Sequence, residues 1–158
     1  LTLPWNRHHF DRVLVVTDFS DDPELVELCR ASRADLYRTT AFTDGGAEFN
    51  KWRALEEGLD VLGRSGWMCV MDADVCWPKA VDWAVQGQHP QWDWRSPVPG
   101  FLYTPLRLMC PTVPAAVPPE ANWQLYPLHG NQGEWAGYSH VFHADDPVLS
   151  PARGPWYD

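Results

Sequence analysis

Lysine and arginine are scarce in this chain and nowhere cluster: 12 basic residues stand against 21 acidic ones, a formal net charge of −9. A nucleic-acid backbone, which is held by neutralising its phosphates, is therefore excluded as the main partner. Long apolar runs are missing as well. No stretch reaches the ~18 residues that a spanning helix needs, so no membrane span is expected. Cysteines are few, and Cys29, Cys69, Cys76 and Cys110 lie far apart. Their spacing matches neither a zinc site nor a secreted disulfide framework, and reduced thiols in a cytoplasmic protein are the expectation. No charged segment followed by an apolar one opens the sequence, and its first residue is Leu1 rather than Met, as in a fragment or processed product. Internal repeats are absent.

At 158 residues the chain suits one domain with a real core. Its ten Trp and 15 Pro are high counts. Core packing accounts for most tryptophans, although sugar-handling sites also use aromatic faces. The most informative stretch is Trp67-Met-Cys-Val-Met-Asp-Ala-Asp-Val-Cys-Trp-Pro78. Its apolar run reads as a strand buried on both faces, in the middle of a parallel sheet. Side chains at i and i+2 of an extended chain point the same way, so Asp72 and Asp74 are expected on one side at the strand's carboxyl end, where open α/β sheets bind ligands. Two carboxylates so close repel unless a cation lies between them, and hard oxygen ligands suit Mg²⁺ or Mn²⁺. The competing reading is a surface turn whose aspartates cap a helix beginning near Pro78.

In chain order, Leu1 to Arg12 is a polar and aromatic lead-in whose His8 and His9 are expected in solvent. Val13 to Thr17 reads as a strand. Ser20 or Asp21 as cap and Pro23 in the first turn start a helix over Pro23 to Ser32, and a second strand covers Asp35 to Thr39. That β-α-β order implies a parallel unit. Phe49, Trp52, Leu55, Leu59 and Leu62 carry the helical period, ended by Gly63, Ser65 and Gly66. Lys51 and Arg53 fall in its first turns, where the dipole disfavours cations, and a bound phosphate is one anion able to offset that. Further on, a short helix over Lys79 to Gln86, a long loop from Gly87 to Gly100, strands over Phe101 to Cys110 and Trp123 to Leu128, and an alternating run ending at His143 are expected.

This order resembles the GT-A fold of nucleotide-sugar glycosyltransferases. The resemblance rests on Phe49-Asn-Lys51, an apolar strand delivering Asp72-Ala-Asp74, and Gly133-Glu-Trp-Ala-Gly-Tyr138, and is nearest to the β-1,4-galactosyltransferase-type arrangement. It covers roughly Val13 to His143. It implies an α/β class with a Rossmann-like, mostly parallel sheet flanked by helices, as one domain over 1–158, with a donor-binding half over 13–86 and a partial acceptor half over 101–158. The implied activity is metal-dependent transfer of a sugar from a nucleotide-diphosphate donor, a UDP-sugar first, to an acceptor. Asp74 would ligate Mn²⁺ or Mg²⁺ with Asp72 beside it; Thr17, Asp18 and Phe19 would face the nucleoside; Phe49 and Lys51 would approach base and phosphates; Gly137 and Tyr138 would lie on the acceptor side. Lys51 stands where the family has Arg, which keeps the charge and loses the bidentate fork.

The family's later acidic motif, which supplies the catalytic base, has no good copy here. Glu134, Asp145, Asp146 and Asp158 are the acids left, and His140 or His143 reach the site only if the last strand runs beside it. Two other classes share parts of the pattern. One is a haloacid-dehalogenase-type phosphotransferase, which wants Thr or Val where Cys76 stands. The other is a binding module that keeps the donor pocket and lacks the base.

Overall fold

The computed structural model describes residues 2–46, 49–80, 116–125 and 139–144. Its elements are helix α1 (Thr2–Asn6) with a 3-10 turn over Arg7–His9, strand β1 (Leu14–Thr17), helix α2 (Pro23–Ser32), strand β2 (Asp35–Arg38), a 3-10 turn at Asp44–Gly46, helix α3 (Lys51–Leu62), strand β3 (Trp67–Met71), a 3-10 turn over Glu120–Leu125 and strand β4 (Ser139–His143). The chain is thus mixed α/β. No helix among the described residues is long and apolar enough to cross a membrane.

Local chemistry accounts for the first half. Asp22, one residue beyond the two caps expected, closes the start of α2 by accepting a hydrogen bond from the Leu25 amide at 2.9 Å, with Pro23 at the first helical position. A helix between two short strands returns the chain in the same direction, and β1 and β2 pair in parallel with Leu14 opposite Asp35 and Thr17 opposite Arg38. Helix α3 starts at Lys51 rather than at Phe49. Asn50 takes the capping position, its side chain accepting from the Arg53 amide at 3.1 Å, and leaves Phe49 outside the helix. Gly63, at φ 84°, ends α3 with its amide on the Leu59 carbonyl.

Two strand pairs share α3. On one side Gly58 lies against Val16 and Leu14 of β1. On the other, Leu59 joins Met68, Val70 and Ala144 in the buried core, with Leu55, Leu62 and Phe142 packed around it. Positions 55, 59 and 62 fall on one stripe of a 3.6-residue helix, as the apolar period requires.

The second half departs from expectation. β3 pairs antiparallel with β4, Met71 opposite Ser139 and Trp67 opposite His143. Burial along β3 alternates, with Trp67 exposed and Met68 and Val70 buried. The run is therefore not a strand buried on both faces between parallel neighbours. A short apolar run carries no periodicity to separate those cases, because here the outward positions are apolar as well. Residues 120–125 form a 3-10 turn where a strand was expected at Trp123. The pair Pro118-Pro119 presets the chain for a helical start, the Asn122 amide bonds the Pro119 carbonyl at 2.9 Å, and the Trp123 indole bonds the Pro118 carbonyl at 2.9 Å. The expected loop over 87–100, the strand over 101–110 and most of the helix over 79–86 lie outside the described residues.

Candidate functional site at the carboxyl end of β3

Capping by Asn50 puts two cations, Lys51 and Arg53, at the amino end of α3, where partial positive charge already gathers. Each meets an anion of the protein itself. Lys51 Nζ donates to Asp72 Oδ1, and Arg53 Nη2 pairs with Asp44 Oδ2 at 3.1 Å. Carboxylates thus occupy the role that the sequence allowed a phosphate to fill. The Lys51–Asp72 pair is half-buried, the two side chains being 27% and 34% exposed, so it is screened less than the Arg53–Asp44 pair at 55% and 40%. The Phe-Asn-Lys and Asp-Ala-Asp motifs, separate in sequence, therefore meet in space.

Strand geometry ends at Met71. Residues 72–75 form a turn closed by the Val75 amide on the Asp72 carbonyl at 3.3 Å. The expectation that Asp72 and Asp74 share one side of an extended chain is corrected accordingly: turn geometry relates them. Asp74 is exposed while Asp72 leans on Lys51.

Antiparallel pairing brings β4 beside this end. Ser139, opposite Met71, is buried. His140, opposite Val70, is buried with its ring stacked on Trp52 at 5.5 Å and 7°. Lys51 Nζ lies 6.0 Å from the centre of the same Trp52 ring, the outer limit of a cation-π contact. Asp72, Lys51, Trp52 and His140 thus form one constellation. His143 does not belong to it: it sits opposite Trp67, its ring edge-on to the indole at 5.3 Å, roughly 13 Å of strand away from Met71.

The remaining sequence candidates divide. Phe49 is 68% exposed and stacks on Phe42, ring centres 5.5 Å apart at 14°, an aromatic pair immediately before the cap of α3. Thr17 ends β1; Asp18 is exposed, and two hydrogen bonds from Ser20 hold its carboxyl below the usual carboxylate range; Phe19 is exposed. Glu134, Gly137, Tyr138, Asp145, Asp146 and Asp158 lie outside the described residues.

Sequence reasoning missed what holds the other flank of the turn. His8 is exposed, as expected, whereas His9 is half-buried and lies near the Trp77 ring. The lead-in folds as α1 and a 3-10 turn and lies along residues 73–79. Thr2 Oγ1 donates to the Ala73 carbonyl, Asn6 Nδ2 to the Val75 carbonyl at 2.6 Å, and Trp5 Nε1 to the Trp77 carbonyl at 2.7 Å. Asn6 Oδ1 accepts from the Trp77 amide at 2.9 Å, and His8 Nε2 meets the Lys79 carbonyl at 3.0 Å. The acceptors at 75, 77 and 79 recur at alternate residues, the period of an extended edge. Helix side chains here do what a neighbouring strand does elsewhere. The one available signal was a buriable Asn in an aromatic segment, Trp5-Asn6, and nothing local says what it will bond.

Among the described residues no group of three or more His, Cys, Asp or Glu side chains is arranged to hold a metal ion. Asp72 and Asp74 offer one or two hard carboxylates, the protein share that suits Mg²⁺ or Mn²⁺ when phosphates and waters complete the shell. The residues thus fit a metal carried by a diphosphate better than a dedicated protein cage. No family model matches the chain, and no match is found among curated proteins or solved structures.

Proposed function

We propose that this chain binds the diphosphate of a nucleotide sugar, a UDP-sugar first, at the turn after β3, and belongs to a metal-dependent glycosyltransferase of GT-A type acting on an acceptor. The observation that carries this reading is the contact of Lys51, at the start of α3, with Asp72, at the end of β3. Two motifs read from the sequence as parts of a donor site meet there, at the turn where β3 ends.

In this reading Asp72 and Asp74 hold Mn²⁺ or Mg²⁺, which supplies charge neutralisation to the departing nucleoside diphosphate. Lys51 is the group that must move least: its ammonium already lies at the site and can exchange a carboxylate partner for a phosphate oxygen. Trp52, with His140 stacked on it, presents an aromatic face on one flank of the ion pair. The exposed Phe49–Phe42 pair, beside the cap of the same helix, offers a face for the base. Glu134, Asp145 and Asp146 are the acids left as candidates for the catalytic base, and none stands in a good copy of the family's motif.

Thermal denaturation with UDP and UDP-sugars, with and without Mn²⁺, tests the proposal. A ligand at a hundred times its dissociation constant adds about 2.7 kcal/mol of stability. Asp72→Asn and Asp74→Asn each remove the metal-dependent part of that gain. A metal-dependent gain that survives in Asp74→Asn refutes the assignment of Asp74, and no gain with any nucleotide in the unaltered chain refutes the donor site. Binding without transfer to any acceptor favours the module, and phosphate release from a phosphomonoester favours the phosphotransferase.

A further inference from the structure

We propose that Asn6, aided by Trp5, is a positioning residue for the Asp72–Asp74 turn: α1 acts as a strand-like edge that fixes residues 75–79 and so sets where the two aspartates stand. The inference rests on the donor reading for its ligand, and on geometry alone for the clamp.

Asn6 is 5% exposed, and both ends of its amide are used on the same run of backbone. Nδ2 donates to the Val75 carbonyl at 2.6 Å while Oδ1 accepts from the Trp77 amide at 2.9 Å, across 69 and 71 residues of sequence. A primary amide presents a donor and an acceptor side by side, as a residue of a paired strand does, and no other side chain but Gln offers that combination without charge. The bonded atoms begin one residue after Asp74. Trp5 adds its indole N–H to the Trp77 carbonyl, and its ring carries Lys79 Nζ on one face at 4.6 Å. From the other flank, Glu120 accepts the Lys79 amide at 2.6 Å and Trp123 tilts against Trp5, ring centres 6.1 Å apart. The turn carrying the aspartates is therefore held by β3 and Lys51 before it and by this clamp after it. A two-carboxylate site gains affinity from such fixing, because ordering the turn is then not charged to the ligand. By linkage, a ligand on Asp72 and Asp74 must tighten the clamp by the factor with which the clamp tightens the ligand.

The test compares the unaltered chain with Asn6→Ala in backbone amide hydrogen exchange and in binding of UDP with Mn²⁺. The Trp77 amide of Asn6→Ala is expected to exchange at least tenfold faster, beyond any acceleration shared by Val15 and Val16 of β1, and UDP–Mn²⁺ affinity to fall about tenfold. In the unaltered chain UDP–Mn²⁺ slows exchange at Trp77. Equal acceleration at Trp77 and in β1 overturns the clamp and leaves α1 as ordinary framework. Faster exchange at Trp77 with unchanged affinity overturns the positioning role. If the unaltered chain binds no UDP, the donor reading and the positioning role fall together, while the exchange contrast still judges the clamp. Should Asn6→Ala fail to fold, Trp5→Phe removes the indole N–H while leaving a smaller aromatic ring in its place, and the same contrast at residues 77–79 decides.

Discussion

Gly58 stands in the interior of α3, where alanine is the better helix former by about 1 kcal/mol. Propensity alone therefore predicts that Gly58→Ala stabilises the chain. The packing predicts the opposite. A Cβ at Gly58 would lie 2.5 Å from Val16 Cγ2 of β1, with Leu14 Cδ2 at 3.7 Å and Val16 Cβ at 3.8 Å. Carbon atoms rest at about 3.5–4.0 Å, so the first contact is roughly 1 Å too short while the other two are ordinary. Val16 has little freedom to yield, since a β-branched side chain keeps a restricted χ1, and the alternative is to lift α3 away from the sheet. Overpacking of this kind costs about 1–3 kcal/mol, which exceeds the propensity gain. We expect Gly58→Ala to lose about 1 kcal/mol net, or roughly 3 °C in melting temperature for a domain of 158 residues. Urea denaturation followed by circular dichroism reads this as a lower midpoint at unchanged slope. Val16→Ala removes the offending methyl, so the double variant must be less destabilised than the sum of the singles, by roughly 1–2 kcal/mol. A Gly58→Ala chain as stable as the original, or additive double-mutant energies, would refute the close approach of α3 and β1. Because α3 also carries Lys51, the single variant should weaken any ligand bound at Asp72.

Two titrations follow from burial. Cys69 lies in β3 with its thiol pushed up to about 12 by burial, partly opposed by the Ser139 hydroxyl. At pH 8 only about one molecule in ten thousand then carries the reactive thiolate, and iodoacetamide should label Cys69 only after unfolding. The unfolded thiol ionises near about 8.5, so the stability Cys69 contributes is complete below that pH and is lost as pH rises from there towards 12; a Cys69→Ala chain with the same alkaline slope contradicts this. His9 has its pKa lowered, first by burial and then by its neighbour His8, against the Pro78 backbone and Glu120, which raise it. Its neutral form is therefore the folded one: its contribution is present above about pH 6.5 and falls away as the solution is acidified below that. His9→Phe should flatten the fall of the urea midpoint between pH 6.5 and 5, and an unchanged fall would show that other groups dominate.

The elements most legible beforehand are those whose cause is local. Pro23 at the start of α2, the apolar run of β3 and the 3.6-residue stripe of α3 each depend on residues within a turn of one another, although the cap itself fell on Asp22 rather than on Ser20 or Asp21. The parallel pairing of β1 and β2 follows from a single intervening helix. Half of the candidate site was legible in the same way: Lys51 and Asp72 were singled out by residue type and by their places at the ends of α3 and β3. The partner each would choose was not legible. Nor was the role of Asn50, which looked like part of a ligand motif and serves as a helix cap.

What the sequence determined, then, is the order and approximate extent of β1, α2, β2, α3 and β3, and the placing of acid where β3 ends, because capping, backbone preference and apolar period act over a few residues. What only the tertiary structure decided is every relation across many residues. β4 lies antiparallel on β3, Lys51 turns to Asp72, His140 stacks on Trp52, and Asn6 reaches past some seventy residues of chain to hold Val75 and Trp77. Such contacts depend on which surfaces remain unburied and which backbone groups remain unbonded once the local elements have formed, and no local periodicity records that.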